Sequence, residues 1–373
     1  MKVRRHLVAG VSAWISAVLL SGCGGSEVDA RLTAAQTSRD LVSRAGYPGA
    51  VSVQIRAEGL DVAAAGVLKV AGAAAGPDDR FAVGSLTKSM TATLAAVLVQ
   101  EGRIGWDSLM LDVLPELAPA ARSEYRGVTL RDLLSHRSGL FAAGDSAQLA
   151  EVPELSGTPG EQRLQFLAWA LAKAPSVQPG RQSQYSNGGF VAAGAMLERV
   201  GAMPYEALIQ NKVFQPLGIN ATFGAAGADG LREAWGHTTS DGRTWTALDP
   251  QAPAARFPVA ANPAGGVKLS GNELARYLQL HVKALGGATG LLITPASARA
   301  VHATVADGFA LGWLVGADEK RRPLSFHNGS DDVSYYALMA VRMDAQGAAA
   351  VLVNAFGSTV ETDLSVATTM LLP

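Results

Sequence analysis

The sequence predicts an α+β fold: an antiparallel sheet assembled from both ends of the chain, flanked by helices, with a mainly helical lobe inserted over roughly residues 85–260. Three observations carry this expectation. Near the start, Val51-Ser52-Val53-Gln54-Ile55-Arg56 alternates apolar and polar residues, as a half-buried strand does. In the last third, four short strand-like runs follow one another: Phe309–Val315, Leu324–His327, Tyr335–Arg342 and Ala348–Asn354. Between them the apolar period is helical. Strands at both ends with helices between are most economically satisfied by one sheet closed from both termini.

In chain order, residues 23–44 read as a polar tether and the start of a first helix. After the strand at 51–56, Glu58-Gly59-Leu60 reads as a turn and Asp61–Val70 as a second strand. The Ala/Gly-rich text that follows, ending Gly76-Pro77-Asp78-Asp79, reads as a loop. Helical patterns then run from Gly84 to Gln100, ending at Gly102, and from Thr129, a plausible cap, to Leu134. Further helices are expected over Gln162–Lys173, stopped by Pro175 and Pro179, over Gly189–Val200 and over Tyr205–Val213. Ala221–Asn262, rich in Gly, Ala, Pro and Trp, has no regular assignment. Ser270–Leu285 is amphipathic with Ser270 and Asn272 as caps, and Glu361–Leu372 reads as a closing helix.

At 373 residues and 48% hydrophobic, the chain can bury one large core or two modest ones. A formal net charge of -1 exerts no general pull on nucleic acid or anionic lipid, and no basic-aromatic alternation occurs, so nucleic-acid binding is not expected. The N-terminus is a different matter. Lys2, Arg4 and Arg5 precede an apolar stretch from Leu7 to Leu20, and small residues follow, the layout of a secretory signal over residues 1–22. The stretch is short for a membrane span. Leu20-Ser21-Gly22-Cys23 resembles a bacterial lipobox, which implies cleavage before Cys23 and lipid on its sulfur. Gly24 rather than Asp follows. By analogy with lipoprotein sorting this suggests anchoring facing the periplasm or cell surface, at an outer membrane where the source has one. Cys23 is the sole cysteine, which removes disulfides and thiolate metal sites from consideration. The six histidines show no metal-ligand spacing, and neither a phosphate-cradling loop nor a dinucleotide fingerprint is present, so no metal or cofactor is expected.

The remaining chemistry lies in Ser85-x-x-Lys88. On a helix, i and i+3 share a face, so a hydroxyl and an amine at this spacing can touch. By itself the spacing is uninformative, because a helix-start Ser beside a solvated Lys is the commoner arrangement. The common nucleophile elbow G-x-S-x-G is absent. A second element, Tyr185-Ser186-Asn187, changes the weighting. With it the chain resembles the penicillin-recognising serine hydrolases: class C β-lactamases, D-alanyl-D-alanine carboxypeptidases, D-aminopeptidases and related esterases. Val128–Leu140, containing Leu133-Leu134-Ser135-His136-Arg137-Ser138-Gly139-Leu140, resembles that branch's L-L-x-H-T-S-G-L text. The segment beginning Asn262-Pro263-Ala264-Gly265-Gly266, and the closing strands with His327-Asn328-Gly329, match in the expected order over residues 45–373.

The resemblance implies a β-lactamase/transpeptidase-like fold and an acyl-enzyme at Ser85. Lys88 would act as general base, Tyr185 as general base or acid, and Asn187 would position Lys88 and substrate. Which of Lys88 and Tyr185 is the main base stays open. The backbone N–H groups of Ser85 and Ser330 would form the oxyanion hole. His327, Asn328 and Gly329 would bind substrate. His136 is read as packing the loop behind the site, and Trp235, Trp245 and Trp313 as core. His327 stands where class C β-lactamases carry Lys in K-T-G, and a mostly neutral imidazole anchors a carboxylate less well. The expected substrate is therefore a small ester, amide or D-amino-acid peptide. The alternatives are a true class C-like β-lactamase and a non-catalytic penicillin-binding or sensor protein.

Overall fold

The computed structural model describes residues 32–57, 59–227, 232–255 and 257–373. The expected signal peptide, Cys23 and most of the tether lie outside these residues. A six-stranded antiparallel sheet runs in the order β2-β1-β11-β10-β9-β8. Its N-terminal strands are β1 (Gly49–Arg56) and β2 (Gly59–Gly66). The C-terminal ones are β8 (Leu314–Ala317), β9 (Pro323–Ser330), β10 (Tyr336–Arg342) and β11 (Ala348–Val353). The two chain ends join where β1 pairs with β11, Ala50 opposite Val353.

Side-chain alternation assigns the two faces of this sheet. Leu338, Ala340, Val351 and Val353 pack with Leu41, Leu364 and Leu371 from helices Ala34–Ser43 and Val360–Leu371. Ala337, Met339, Ala350 and Leu352 join Leu274 and Leu278 of helix Gly271–Leu285 in the larger core, which continues into the lobe. The lobe's chief helices are Thr87–Gln100, Leu130–Leu134, Pro159–Leu171, Asn187–Gly201 and Tyr205–Ile209. Thr129, Thr158 and Ser270 each close a capping box with the acidic residue three positions on.

Helix Thr87–Gln100 is buried on every side from Thr87 to Leu98. Its hydroxyls are tolerated there because each finds a partner: Ser89 Oγ donates to Leu86 O (2.7 Å), Thr91 Oγ1 to Pro263 O (2.7 Å) and Thr93 Oγ1 to Ser89 O (3.0 Å), while Thr87 Oγ1 accepts from Val267 N–H (3.2 Å).

Several expectations need correction. Of Phe309–Val315 only Leu314 and Val315 are strand, since Gly312 takes φ 73° and breaks the extended path. The helix expected from Gly84 begins with a tighter 3₁₀ turn, Gly84–Leu86. The helix at Tyr205 stops at Ile209 and passes into a π-helical turn, Gln210–Phe214. Asn272 does not cap; its Nδ2 donates to Asp78 Oδ1 (2.6 Å). The unassigned stretch supplies β4 (Thr222–Phe223) and a small hairpin of β5 (His237–Thr238) with β6 (Thr246–Ala247). β4 joins β3 (Arg80–Ala82) and β7 (Val267–Ser270) in a second sheet, ordered β3-β7-β4. The helix Pro295–His302 is absent from the sequence reading.

Candidate active site

Ser85 lies in the turn between β3 and the buried helix, directly against the end of β9. Two glycines make that approach possible. A Cβ on Gly329 would stand 2.0 Å from Val83 O and 2.8 Å from Ser85 N. A Cβ on Gly84, which takes φ +51°, would stand 2.6 Å from Ser330 N. Two backbones at van der Waals closeness thus bring the N–H groups of Ser85 and Ser330 to one place, a pair of donors suited to a developing oxyanion.

Lys88, one helical turn on, is fully buried. Its Nζ lies 2.9 Å from Ser85 Oγ and donates to Asn187 Oδ1 (2.7 Å) and Ala264 O (2.7 Å). Burial holds its pKa well below the ordinary lysine value. Asn187 is fixed in orientation because its Nδ2 donates to Ala143 O (2.8 Å), which turns Oδ1 toward the lysine. The Asn187 backbone N–H donates to Ala142 O (2.8 Å). Asn187 opens a helix whose cap is Ser186, with Oγ accepting from Gly189 N (3.0 Å).

Tyr185 donates from its hydroxyl to Ser85 Oγ (2.6 Å), and Lys88 Nζ lies 4.7 Å from the centre of its ring. Burial, with a contribution from the Asp332 charge, raises the phenol's pKa well above its usual value, so the group is protonated near neutrality. His136 stacks on the ring with centroids 4.4 Å apart.

His327 is buried, its ring centroid 6.3 Å from that of Tyr185. Burial, and then the Lys88 charge, pull its pKa down to about 3. Its Nδ1 lies 2.6 Å from Asn328 O; a carbonyl only accepts, so Nδ1 carries the hydrogen and Nε2 the lone pair. A neutral imidazole cannot serve as a cationic carboxylate anchor.

The structure thus brings together Ser85, Lys88, Tyr185, Asn187, His327, Gly329 and the backbone of Ser330. It does not bring in the side chain of Asn328. In register Asn328 faces Leu338, and its Nδ2 donates to Tyr336 Oη (3.0 Å) on the opposite face of the sheet. A strand that points His327 and Gly329 toward Ser85 must point the residue between them away. Sequence reasoning missed the carbonyls of Ala143 and Ala264, which carry no side-chain signal. Trp313 is buried, and Trp245 Nε1 donates to Gly46 O (2.8 Å). Among the described residues no cluster of three or more His, Cys, Asp or Glu is placed to hold a metal ion, and no helix is long and apolar enough to cross a membrane.

Comparison with known proteins gives this geometry its family. The chain is 29% identical over 238 residues to Penicillin-binding protein 4 of Amycolatopsis lactamdurans, covering 63% of this chain and 59% of that one. It is 26% identical over 261 residues to the D-alanyl-D-alanine-carboxypeptidase/endopeptidase AmpH of Escherichia coli K12, covering 66% and 63%. The chain thus spans less than two thirds of the length of these relatives. Among solved structures, a D-stereospecific amidohydrolase from Streptomyces sp. superposes with TM-score 0.69 at 23% identity, covering 89% of this chain and 97% of that one. A class C β-lactamase from Rhodobacter sphaeroides gives 0.67 at 20%, covering 90% and 97%. These likenesses establish a β-lactamase/transpeptidase-like fold. The Beta-lactamase family description matches residues 34–367, a span that contains every residue gathered around Ser85. The chain belongs to the β-lactamase family.

Proposed function

We propose that the protein is an exported, lipid-anchored hydrolase that forms an acyl-enzyme at Ser85 on a small ester, amide or D-amino-acid peptide. The observation that carries this is the hydrogen-bond order around Lys88. A neutral amine has two hydrogens and one lone pair. Asn187 Oδ1 and Ala264 O can only accept, so they take both hydrogens, and the lone pair is left facing Ser85 Oγ. This arrangement favours Lys88 as the base. Tyr185, kept protonated by burial, donates to the same oxygen and is poised as the acid.

In the step this supports, the Ser85 hydroxyl proton passes to Lys88 Nζ as Oγ bonds to the substrate carbonyl carbon. The carbonyl π pair moves onto oxygen, held by the N–H groups of Ser85 and Ser330. On collapse the leaving group departs with the Tyr185 proton, and Lys88 returns its proton to the phenol oxygen. Water then releases the acyl group by the reverse order. The neutral His327 supports an uncharged acyl portion over the carboxylate of a penicillin. Hydrolase activity on D-configured amides is a property of structural neighbours by their names, and is proposed here only as a substrate class. Intact mass of the soluble domain after exposure to fluorophosphonate, esters, D-amino-acid amides and β-lactams tests the reading. A single adduct lost in Ser85→Ala is expected, and no adduct with any acylating probe refutes it.

Export and anchoring rest on the residue pattern alone, Lys2 to Leu20 followed by Leu20-Ser21-Gly22-Cys23. Membrane fractionation of the full chain against Cys23→Ala, with labelled fatty acid, tests them. Release of the variant and loss of label are expected; identical fractionation without label excludes lipidation.

A further inference from the structure

We infer that His136 is the positioning residue for Tyr185. This inference rests on the proposed role of Tyr185 as the acid that protonates the leaving group. A phenol can do this only if its oxygen is held at a fixed place beside Ser85 Oγ. Yet Tyr185 lies in an irregular segment, after helix Pro159–Leu171 and just before the helix that opens at Asn187. No regular hydrogen-bond ladder holds that segment; Ser186 Oγ reaches Leu140 O (3.0 Å) and Phe141 O (3.1 Å), and the bonds and ring contact that flank Tyr185 itself run to one residue.

His136 grips it at three points. Gln184 N–H donates to His136 O (2.8 Å) on one side of Tyr185. Ser186 N–H donates to His136 Nδ1 (3.0 Å) on the other. Between these two bonds the imidazole stacks on the Tyr185 ring, with an interplanar angle of 26°. Phe190 and Phe309 pack on the imidazole at 5.2 and 5.0 Å, so it is itself fixed. The backbone of His136 adopts φ 59°, in the left-handed region uncommon for a side-chain-bearing residue. That strain has a use, because it lets one residue offer both its carbonyl and its ring to the same tripeptide.

The grip also requires a neutral imidazole, since Nδ1 accepts from an N–H. Burial presses the His136 pKa well below its ordinary value, which favours the neutral, accepting imidazole.

The test is a double-mutant cycle with two leaving groups. His136→Phe keeps the stacking surface and removes the Nδ1 acceptor; His136→Asn tolerates the left-handed backbone and removes the ring. Each is combined with Tyr185→Phe and assayed on p-nitrophenyl butyrate and on trifluoroethyl butyrate, whose poorer leaving group needs the proton more. Both single His136 variants are expected to lower kcat/KM, which reports acylation, about 10²-fold on the trifluoroethyl ester and much less on the nitrophenyl ester. In the Tyr185→Phe background the same changes are expected to cost less than about 3-fold, because positioning an absent hydroxyl gains nothing. Equal losses with both esters, or the full loss repeated in the Tyr185→Phe background, overturn the inference. If Tyr185→Phe itself shows no leaving-group dependence, the acid role of Tyr185 fails and not the grip of His136. If His136→Phe does not fold, His136→Asn decides by the same criteria.

Discussion

Replacing Gly329 by Ala probes the strand approach on which the oxyanion site depends. The new Cβ would stand 2.0 Å from Val83 O, about 1.4 Å short of the 3.4 Å of ordinary contact, and 2.8 Å from Ser85 N. Both offending atoms are backbone, so no side chain can rotate away. Either β9 withdraws from the turn at Gly84–Leu86 or that turn shifts, and either movement separates the N–H groups of Ser85 and Ser330 by more than 1 Å. Losing one oxyanion donor costs about 10²–10³ in kcat. Overpacking of this kind costs about 1–3 kcal/mol of stability. The assay is steady-state hydrolysis of an activated ester beside denaturant unfolding, so that loss of rate is read on folded protein. Expected are a kcat at least about 10²-fold lower, a KM changed far less, and a cooperative unfolding transition at lower denaturant. A folded Gly329→Ala variant with kcat within about 3-fold of wild type contradicts the close approach described here.

Other expectations follow from buried groups. Because burial holds the Lys88 pKa down, the proposed mechanism makes kcat/KM rise as Lys88 loses its proton and then level off, with that limb well below the usual lysine range; Lys88→Met is expected to lower kcat by at least 10²-fold and abolish the limb in a pH-rate profile. The buried pair His281 and His302, Nδ1 to Nε2 at 3.0 Å, is neutral in the fold, with burial pulling His281 down to about 3. The folded state therefore binds fewer protons than the unfolded state below the unperturbed value near 6.5. Stability is fully present above about pH 6.5 and falls as pH drops toward 3, by up to about 1.4 kcal/mol per pH unit for a single such group; thermal melts across that range, flattened in His281→Gln, check it. Arg163, fully buried, donates to Glu198 Oε2 (2.8 Å) and Glu206 Oε1 (3.0 Å). Arg163→Ala removes the cation between two half-buried carboxylates, leaving Glu206 only its bond from Asn262 Nδ2 (2.8 Å), and is expected to cost about 3 kcal/mol in urea unfolding.

What the sequence made legible depended on how far each signal extends. Strand β1 showed itself by apolar–polar alternation over Val51–Arg56, β10 and β11 as short, nearly continuous apolar runs, and Ser270–Leu285 because its apolar stripe spans four turns. The second sheet left no comparable trace: β3, β4 and β7 have two to four residues each, too few for a period to register. Lys268, fully buried in β7 and paired with Glu233 at 2.9 Å, looks in sequence like a surface lysine because its partner lies 35 positions away. Helix Pro295–His302 is only two turns long. Asn328 was legible and misread, since the alternation that placed His327 and Gly329 on one face already put their neighbour on the other. Around Ser85 the side-chain chemistry could be named from spacing and resemblance, whereas the acceptor carbonyls come from a loop at Ala143 and the one-turn helix Asn262–Gly265 at Ala264, whose sequence says nothing of where they fold.

The central claim is that Ser85 carries an acyl group during turnover, and rapid-quench intact-mass measurement of the soluble domain with an activated ester tests it most directly. One acyl adduct per chain is expected, mapping to the peptide that contains Ser85, accumulating and decaying in wild type, and absent from Ser85→Ala. Turnover of the ester by Ser85→Ala at the wild-type rate, or an adduct mapping to another residue, would contradict it.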